Sequence, residues 1–220
     1  MIQRDRVDTG DQLEAVQRSV TTRDGKETIE TAVSLSQSYA TDVDDLWHAC
    51  STPERLARWF APVSGELQLG GRFQVEGNAA GTIQTCDPPN GFTATWEFGG
   101  ETSNIEVRVE PDGDARSRLT ITHTAEGDID RWTTYGPGAV GVGWDLTLLG
   151  LAHHVATGSG VPAETTDWGE SDDAKQFMAD SSRRWEAESV RAGTPEDVAQ
   201  AAQERTTAFY LGVEPGGEPA

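Results

Sequence analysis

The sequence predicts an α+β fold in which an antiparallel sheet packs against one long helix. Three observations carry this. Between Val63 and about Thr124, short alternating runs are separated by Gly-rich and Pro-rich turns, and no helix-length period interrupts them. From Gly138 onward, Val140, Trp144, Leu148, Leu151 and Val155 form a single stripe at helical spacing. Ahead of the meander, two short capped helical segments follow one long alternating strand.

The first dozen residues are polar and are expected to form a mobile arm (1–13). Val16 and Val20 lead to Asp24-Gly25, a hairpin turn signal. Beyond it Ile29, Thr31, Val33, Leu35, Gln37 and Tyr39 share one face of a strand. Thr41 is expected to cap a helix bearing Val43, Leu46, Trp47 and Cys50, with Asp44 as its capping-box partner. Thr52-Pro53-Glu54 starts a second helix that runs to Arg58-Trp59-Phe60 and stops at Pro62.

In the meander, Phe73 and Val75 share a face, as do Phe92, Ala94, Trp96 and Phe98. Ile105, Val107 and Val109 do the same, and so do Leu119, Ile121 and His123. A loop holding Trp132 and Tyr135 is expected before the long helix. Beside its apolar stripe, Gly143, Thr147 and Gly150 form a small-residue strip suited to close approach to the sheet. After Pro162 the pattern changes. Ser171 is placed to cap a helix with Phe177, Met178, Ser181 and Trp185, and Thr194-Pro195 begins another with Val198, Ala202 and Phe209. The expected organisation is a domain over 14–160 with its core at 31–157, a helical extension over 161–213 and a disordered tail at 214–220.

Charge and cysteine content narrow the function classes. A net charge of −20 repels phosphate backbones and anionic membrane faces, so nucleic acid and membranes are not expected partners. Cys50 and Cys86 make no disulfide framework, and no apolar leader opens the chain, so a reducing cytoplasm is the expected compartment. The apolar window 139–156 contains Asp145 and reads as a buried helix, not a membrane span.

The order strand, two short helices, meander and long helix is the helix-grip order, and particular residues sharpen it. Val43-Asp44-Asp45-Leu46-Trp47-His48-Ala49, then Thr52-Pro53-Glu54-Arg55-Leu56-Ala57-Arg58-Trp59-Phe60 and Gly70-Gly71-Arg72-Phe73, resemble the opening of the family of activators of the heat-shock-protein-90 ATPase, within the START-like (SRPBCC) superfamily. Gly81, Pro88-Pro89, Thr95-Trp96, Leu119-Thr120-Ile121-Thr122-His123 and Gly143-Trp144 fit the same pattern. The resemblance spans roughly residues 31–157. It implies a curved sheet gripping the long helix, with a cavity between them. It also implies either carriage of small hydrophobic molecules, a co-chaperone-like role in stress response, or cyclase or hydrolase chemistry. No catalytic motif is shared across that family, so none carries over.

The candidate site follows from the inward faces. A mostly apolar cavity would be lined by Trp59, Phe60, Phe73, Trp96, Phe98, Ile121, His123, Trp144, Leu148 and Leu151. Periodicity alone does not separate a lined cavity from a filled core. His123, in phase with Leu119 and Ile121, is the one candidate acid or base; the bland reading is a hydrogen-bonded core histidine.

No metal is expected, because the rings of adjacent His153 and His154 diverge by about 100° on a helix. Nor is a cofactor. The run 136–141 matches G-x-G-x-x-G, yet no clean strand precedes it and none follows its helix. The expected function is therefore non-catalytic binding of a small hydrophobic or aromatic molecule. The chain is expected as a monomer, or as a homodimer through its C-terminal helices.

Overall fold

In the computed structural model, residues 9–24, 28–158 and 167–213 are described. The Gly25 end of the expected turn, the 161–166 stretch and the 214–220 tail lie outside them. The chain runs α1 (Thr9–Ala15), β1 (Gln17–Asp24), β2 (Thr28–Tyr39), α2 (Val43–Ser51), α3 (Pro53–Trp59), β3 (Val63–Gly65), β4 (Arg72–Val75), β5 (Ala80–Asp87), β6 (Gly91–Phe98), β7 (Glu101–Pro111), β8 (Ser117–Asp128), α4 (Ile129–Tyr135), α5 (Gly138–Thr157), a 3-10 turn (Asp167–Glu170), α6 (Asp172–Arg191) and α7 (Glu196–Leu211). The eight strands form one antiparallel sheet in the order β1-β2-β8-β7-β6-β5-β4-β3. It curves around α5 in the helix-grip manner expected for this α+β class.

Alternation is kept where it was read. Ile29, Thr31, Val33, Leu35, Gln37 and Tyr39 are all buried along β2, and Leu119, Ile121 and His123 along β8. Their registers pair Leu35 with Ile121 and Val33 with His123, so one face is continuous across the two strands.

Four local expectations change. Asp42, not Thr41, is the α2 N-cap: its carboxylate accepts the Asp45 N–H at 2.8 Å, while the Thr41 hydroxyl donates to the Asp45 side chain. Residues 9–13 belong to α1, because Leu13 reaches the core and Gln12 exchanges two hydrogen bonds with Gln37. Trp132 and Tyr135 lie on the short helix α4, which docks on α7 through the Thr206 hydroxyl donating to the Tyr135 carbonyl. Two members of the small-residue strip of α5, Gly143 and Gly150, meet helices, while Thr147 faces the cavity. Gly150 lies against the Trp59 carbonyl of α3, where a Cβ would come within 2.4 Å, and the Gly143 N–H donates to the Tyr210 hydroxyl of α7.

The far side of α5 is the feature that the periodicity did not disclose. α6 packs there, and at its centre Asp145 is wholly buried. Its carboxylate takes both Arg18 Nη2 at 2.7 Å and Arg18 Nε at 3.1 Å, the Ser181 hydroxyl at 2.6 Å and the Trp185 indole N–H at 2.9 Å. A buried carboxylate is tolerable only when its lone pairs are met in this way. Trp185 in turn needs the bare Cα of Gly141, since a Cβ there would lie 2.2 Å from the indole. Glycines of the 136–141 run thus serve helix packing: Gly136, with φ +60, turns the chain between α4 and α5, and Gly141 admits Trp185. The element ahead of them is α4, so the strand that a dinucleotide fold requires is not in that place.

Candidate functional site: an apolar cavity between sheet and long helix

A cavity of about 100 Å³ lies between the concave sheet and α5. α2 and α3 form its near wall with Trp47, Cys50, Leu56, Trp59 and Phe60. The sheet supplies Phe73, Phe92, Trp96, Ile105 and Ile121, and α5 supplies Trp144 and Thr147. Half-buried Phe60, Val63 and Leu67 border it on the side of β3 and the following loop.

Trp96 links the aromatic wall. Its ring centroid is 6.4 Å from Phe73 and 5.6 Å from Trp144. Among the described residues no charged side chain lines the space. The hydroxyls that do are engaged within the protein, Ser51 donating to the Trp47 carbonyl and Thr147 to the Gly143 carbonyl.

The expected site residues fall into three groups. Trp59, Phe60, Phe73, Trp96, Ile121 and Trp144 border the cavity. Leu148 and Leu151 do not; both have no exposure and belong to the filled core cluster. Phe98 is 57% exposed at the end of the β6–β7 hairpin, paired with Glu101 and followed by Gly99-Gly100. Alternation put it on the same face of β6 as Trp96, but at the strand's end it is left mostly open to solvent.

His123 stands behind the wall rather than in it. Its Nδ1 accepts the Trp144 indole N–H at 3.1 Å. An indole nitrogen only donates, so the ring proton sits on Nε2 and is given to Ser103 Oγ at 2.7 Å. The Ser103 hydroxyl then donates to the Trp96 carbonyl. Burial pushes the imidazole down to about 4, leaving it neutral near pH 7. This is the chemistry of a positioning residue that fixes Trp144, with both ring nitrogens occupied.

Cys50, which does border the cavity, is pushed by burial up to about 12 and remains a thiol. Among the described residues no group of three or more His, Cys, Asp or Glu side chains is arranged to hold a metal ion. Nor is any helix among them long and apolar enough to cross a membrane.

Trp47, Cys50, Phe92 and Cys86 were not singled out as site residues. For Trp47 and Cys50 the signal was present, since both were placed on the apolar side of α2. For Phe92 it was the shared face with Trp96. What was lacking was which apolar faces converge on empty space.

A curved antiparallel sheet, a long buried helix and an apolar space between them define a START-like ligand-binding fold. Residues 40–156 match the family described as activator of Hsp90 ATPase homolog 1-like protein, and the chain belongs to that family. No curated protein sequence matches the chain.

Among solved structures, CalU16 from Micromonospora echinospora is similar at 27% identity. Its crystal structure matches over 79% of this chain and 98% of its own, with a TM-score of 0.63. Its solution structure matches over 81% and 97%, with a TM-score of 0.64. This likeness covers more of the chain than residues 40–156, so elements flanking the family region recur in CalU16. DynU16, from the dynemicin biosynthetic locus, shares the fold at 21% identity over 59% of this chain and 48% of its own, with a TM-score of 0.53.

Proposed function

We propose that this protein binds a small uncharged molecule in the cavity between the sheet and α5 and performs no covalent chemistry on it. The observation that carries this is the character of the lining: aromatic and aliphatic side chains, with no charge. The two groups that acid–base or nucleophilic catalysis would recruit first are both inert there. Cys50 is held as a thiol, and His123 is neutral, doubly hydrogen-bonded and behind the wall.

Size limits the ligand. An apolar cavity of roughly 150 Å³ admits benzene, while drug-sized ligands occupy roughly 300 Å³ or more. At about 100 Å³ the space is smaller than either, so a bound ring fills it and extends into the mouth near Phe60 and Leu67, where any remainder of a larger molecule stays.

The test is native mass spectrometry of the purified full chain, followed by titration of its tryptophan emission with ring-sized hydrocarbons. A saturable change that Leu67→Trp weakens at the mouth supports the proposal. No retained mass and no saturable change would sink it.

A second reading, a protein partner of chaperone type, is favoured by the family's own description and by exposed aromatic surface at Tyr135 and Phe209. Stimulation of a heat-shock-protein-90 ATPase by the full chain, lost on Phe209→Ala, is the result that reading requires.

A further inference from the structure

Four indoles border the cavity, those of Trp47, Trp59, Trp96 and Trp144. Two have committed their N–H inside the protein: Trp59 donates to the Ala49 carbonyl at 3.0 Å and Trp144 to His123. The other two have not. Neither the Trp47 nor the Trp96 Nε1–H meets an acceptor among the described residues. Both N–H groups stay within reach of a water-sized molecule.

Trp47 is the more telling of the pair. It is only 8% exposed, and it packs edge-on against Phe92 in the cavity wall. Its N–H is itself open to water, so on a residue that borders the cavity it is a donor that a ligand's acceptor can take in place of water. The ligand cannot bring that acceptor as a carboxylate or phosphate, since nothing in the lining would neutralise the charge.

We propose that the cavity's ligand is a neutral, ring-sized molecule carrying a hydrogen-bond acceptor, such as a carbonyl or ether oxygen, and that the Trp47 indole, with Trp96 beside it, receives that oxygen. This rests on the binding reading above and adds the polarity that selects the ligand. Trp59 and Trp144 are then structural walls, and Trp47 and Trp96 the residues that discriminate.

The experiment compares two probes of nearly equal size on the full chain: ethylbenzene, with no acceptor, and acetophenone, with one carbonyl. Isothermal titration gives both dissociation constants, corrected for each probe's transfer from water into an apolar solvent. The expected result is a corrected preference for acetophenone of roughly tenfold, the order of one neutral hydrogen bond. Trp47→Phe is expected to remove most of it, and Trp47→Phe/Trp96→Phe the rest, read in each variant as the acetophenone-to-ethylbenzene ratio, because both replacements also reshape the wall that holds ethylbenzene. Retention of ethylbenzene binding shows that the cavity still folds.

Equal corrected affinities in the wild type would mean that the two N–H groups serve water alone, and would overturn the proposal while leaving the binding reading intact. A preference that survives the double replacement would overturn it too. Should the double variant not fold, the wild-type ratio still decides. Failure of both probes to bind the wild type would overturn the binding reading and this inference with it.

Discussion

The two faces of α5 solve burial in opposite ways. Toward the sheet, Trp144 and Thr147 meet aromatic and aliphatic side chains that leave about 100 Å³ unfilled. Toward the tail, Asp145, one residue on from Trp144, is closed over by Arg18, Ser181 and Trp185 with four hydrogen bonds to its carboxylate. The apolar face tolerates a void because nothing there demands a partner. The polar face tolerates none, because every uncompensated atom carries a desolvation cost. Hydrogen bonding to a buried charge is concentrated behind the helix, and unfilled space in front of it.

That contrast can be broken from the tail side first. Asp145→Ala leaves the Arg18 guanidinium buried without its counter-charge, and is expected to cost roughly 3–5 kcal/mol in urea unfolding. An effect below 1 kcal/mol would show that α6 is not anchored through this group.

The cavity side offers a pH test. In the unfolded chain His123 titrates near its ordinary 6.5, but in the fold near 4. Above pH 6.5 the ring is neutral in both states and contributes no slope. As pH falls from 6.5 to about 4, the unfolded chain takes up a proton that the native state does not, so stability falls across that window and levels below it. The expected loss is on the order of 3 kcal/mol. His123→Gln, which still offers Trp144 an acceptor, should flatten the slope; an unchanged difference curve would contradict the burial argument.

Gly141→Ala should cost about 1–3 kcal/mol by displacing the Trp185 ring, and should shift its near-ultraviolet circular dichroism. Smallest of all, Arg72→Ala breaks an exposed pair with Glu97 on the outer face of the sheet and should leave the midpoint unchanged within error.

Much of the frame was legible in the chain. The alternation of 29–39 and 119–123 fixed which side chains turn inward. The stripe from Val140 marked the long helix that begins at Gly138, and Ser171 caps α6 as its residue type suggests, whereas α7 starts from Pro195 without a side-chain cap from Thr194. These signals are local: a strand repeats every two residues and a helix every 3.6, whatever lies opposite.

Other features were legible only in part. Phe98 obeys its strand's alternation yet meets solvent, because face is a property of the strand and burial a property of what covers it. Leu148 and Leu151 share the stripe of Trp144 but sit in filled core, since only the neighbours decide whether space remains.

The sequence by itself determined the order of the strands and of the helices α2, α3, α5, α6 and α7, the inward faces of β2 and β8, and the family. Three things were decided only in three dimensions. Asp145 became the buried centre of a latch because Arg18 lies 127 residues away in the chain. His123 became a neutral prop for Trp144 instead of an acid–base group because both ring nitrogens found partners on β7 and α5. The interior kept a cavity bordered by Trp47 because α2, the sheet and α5 converge without filling the volume between them. Each depends on distances between residues remote in sequence, and periodicity along one segment carries no information about them.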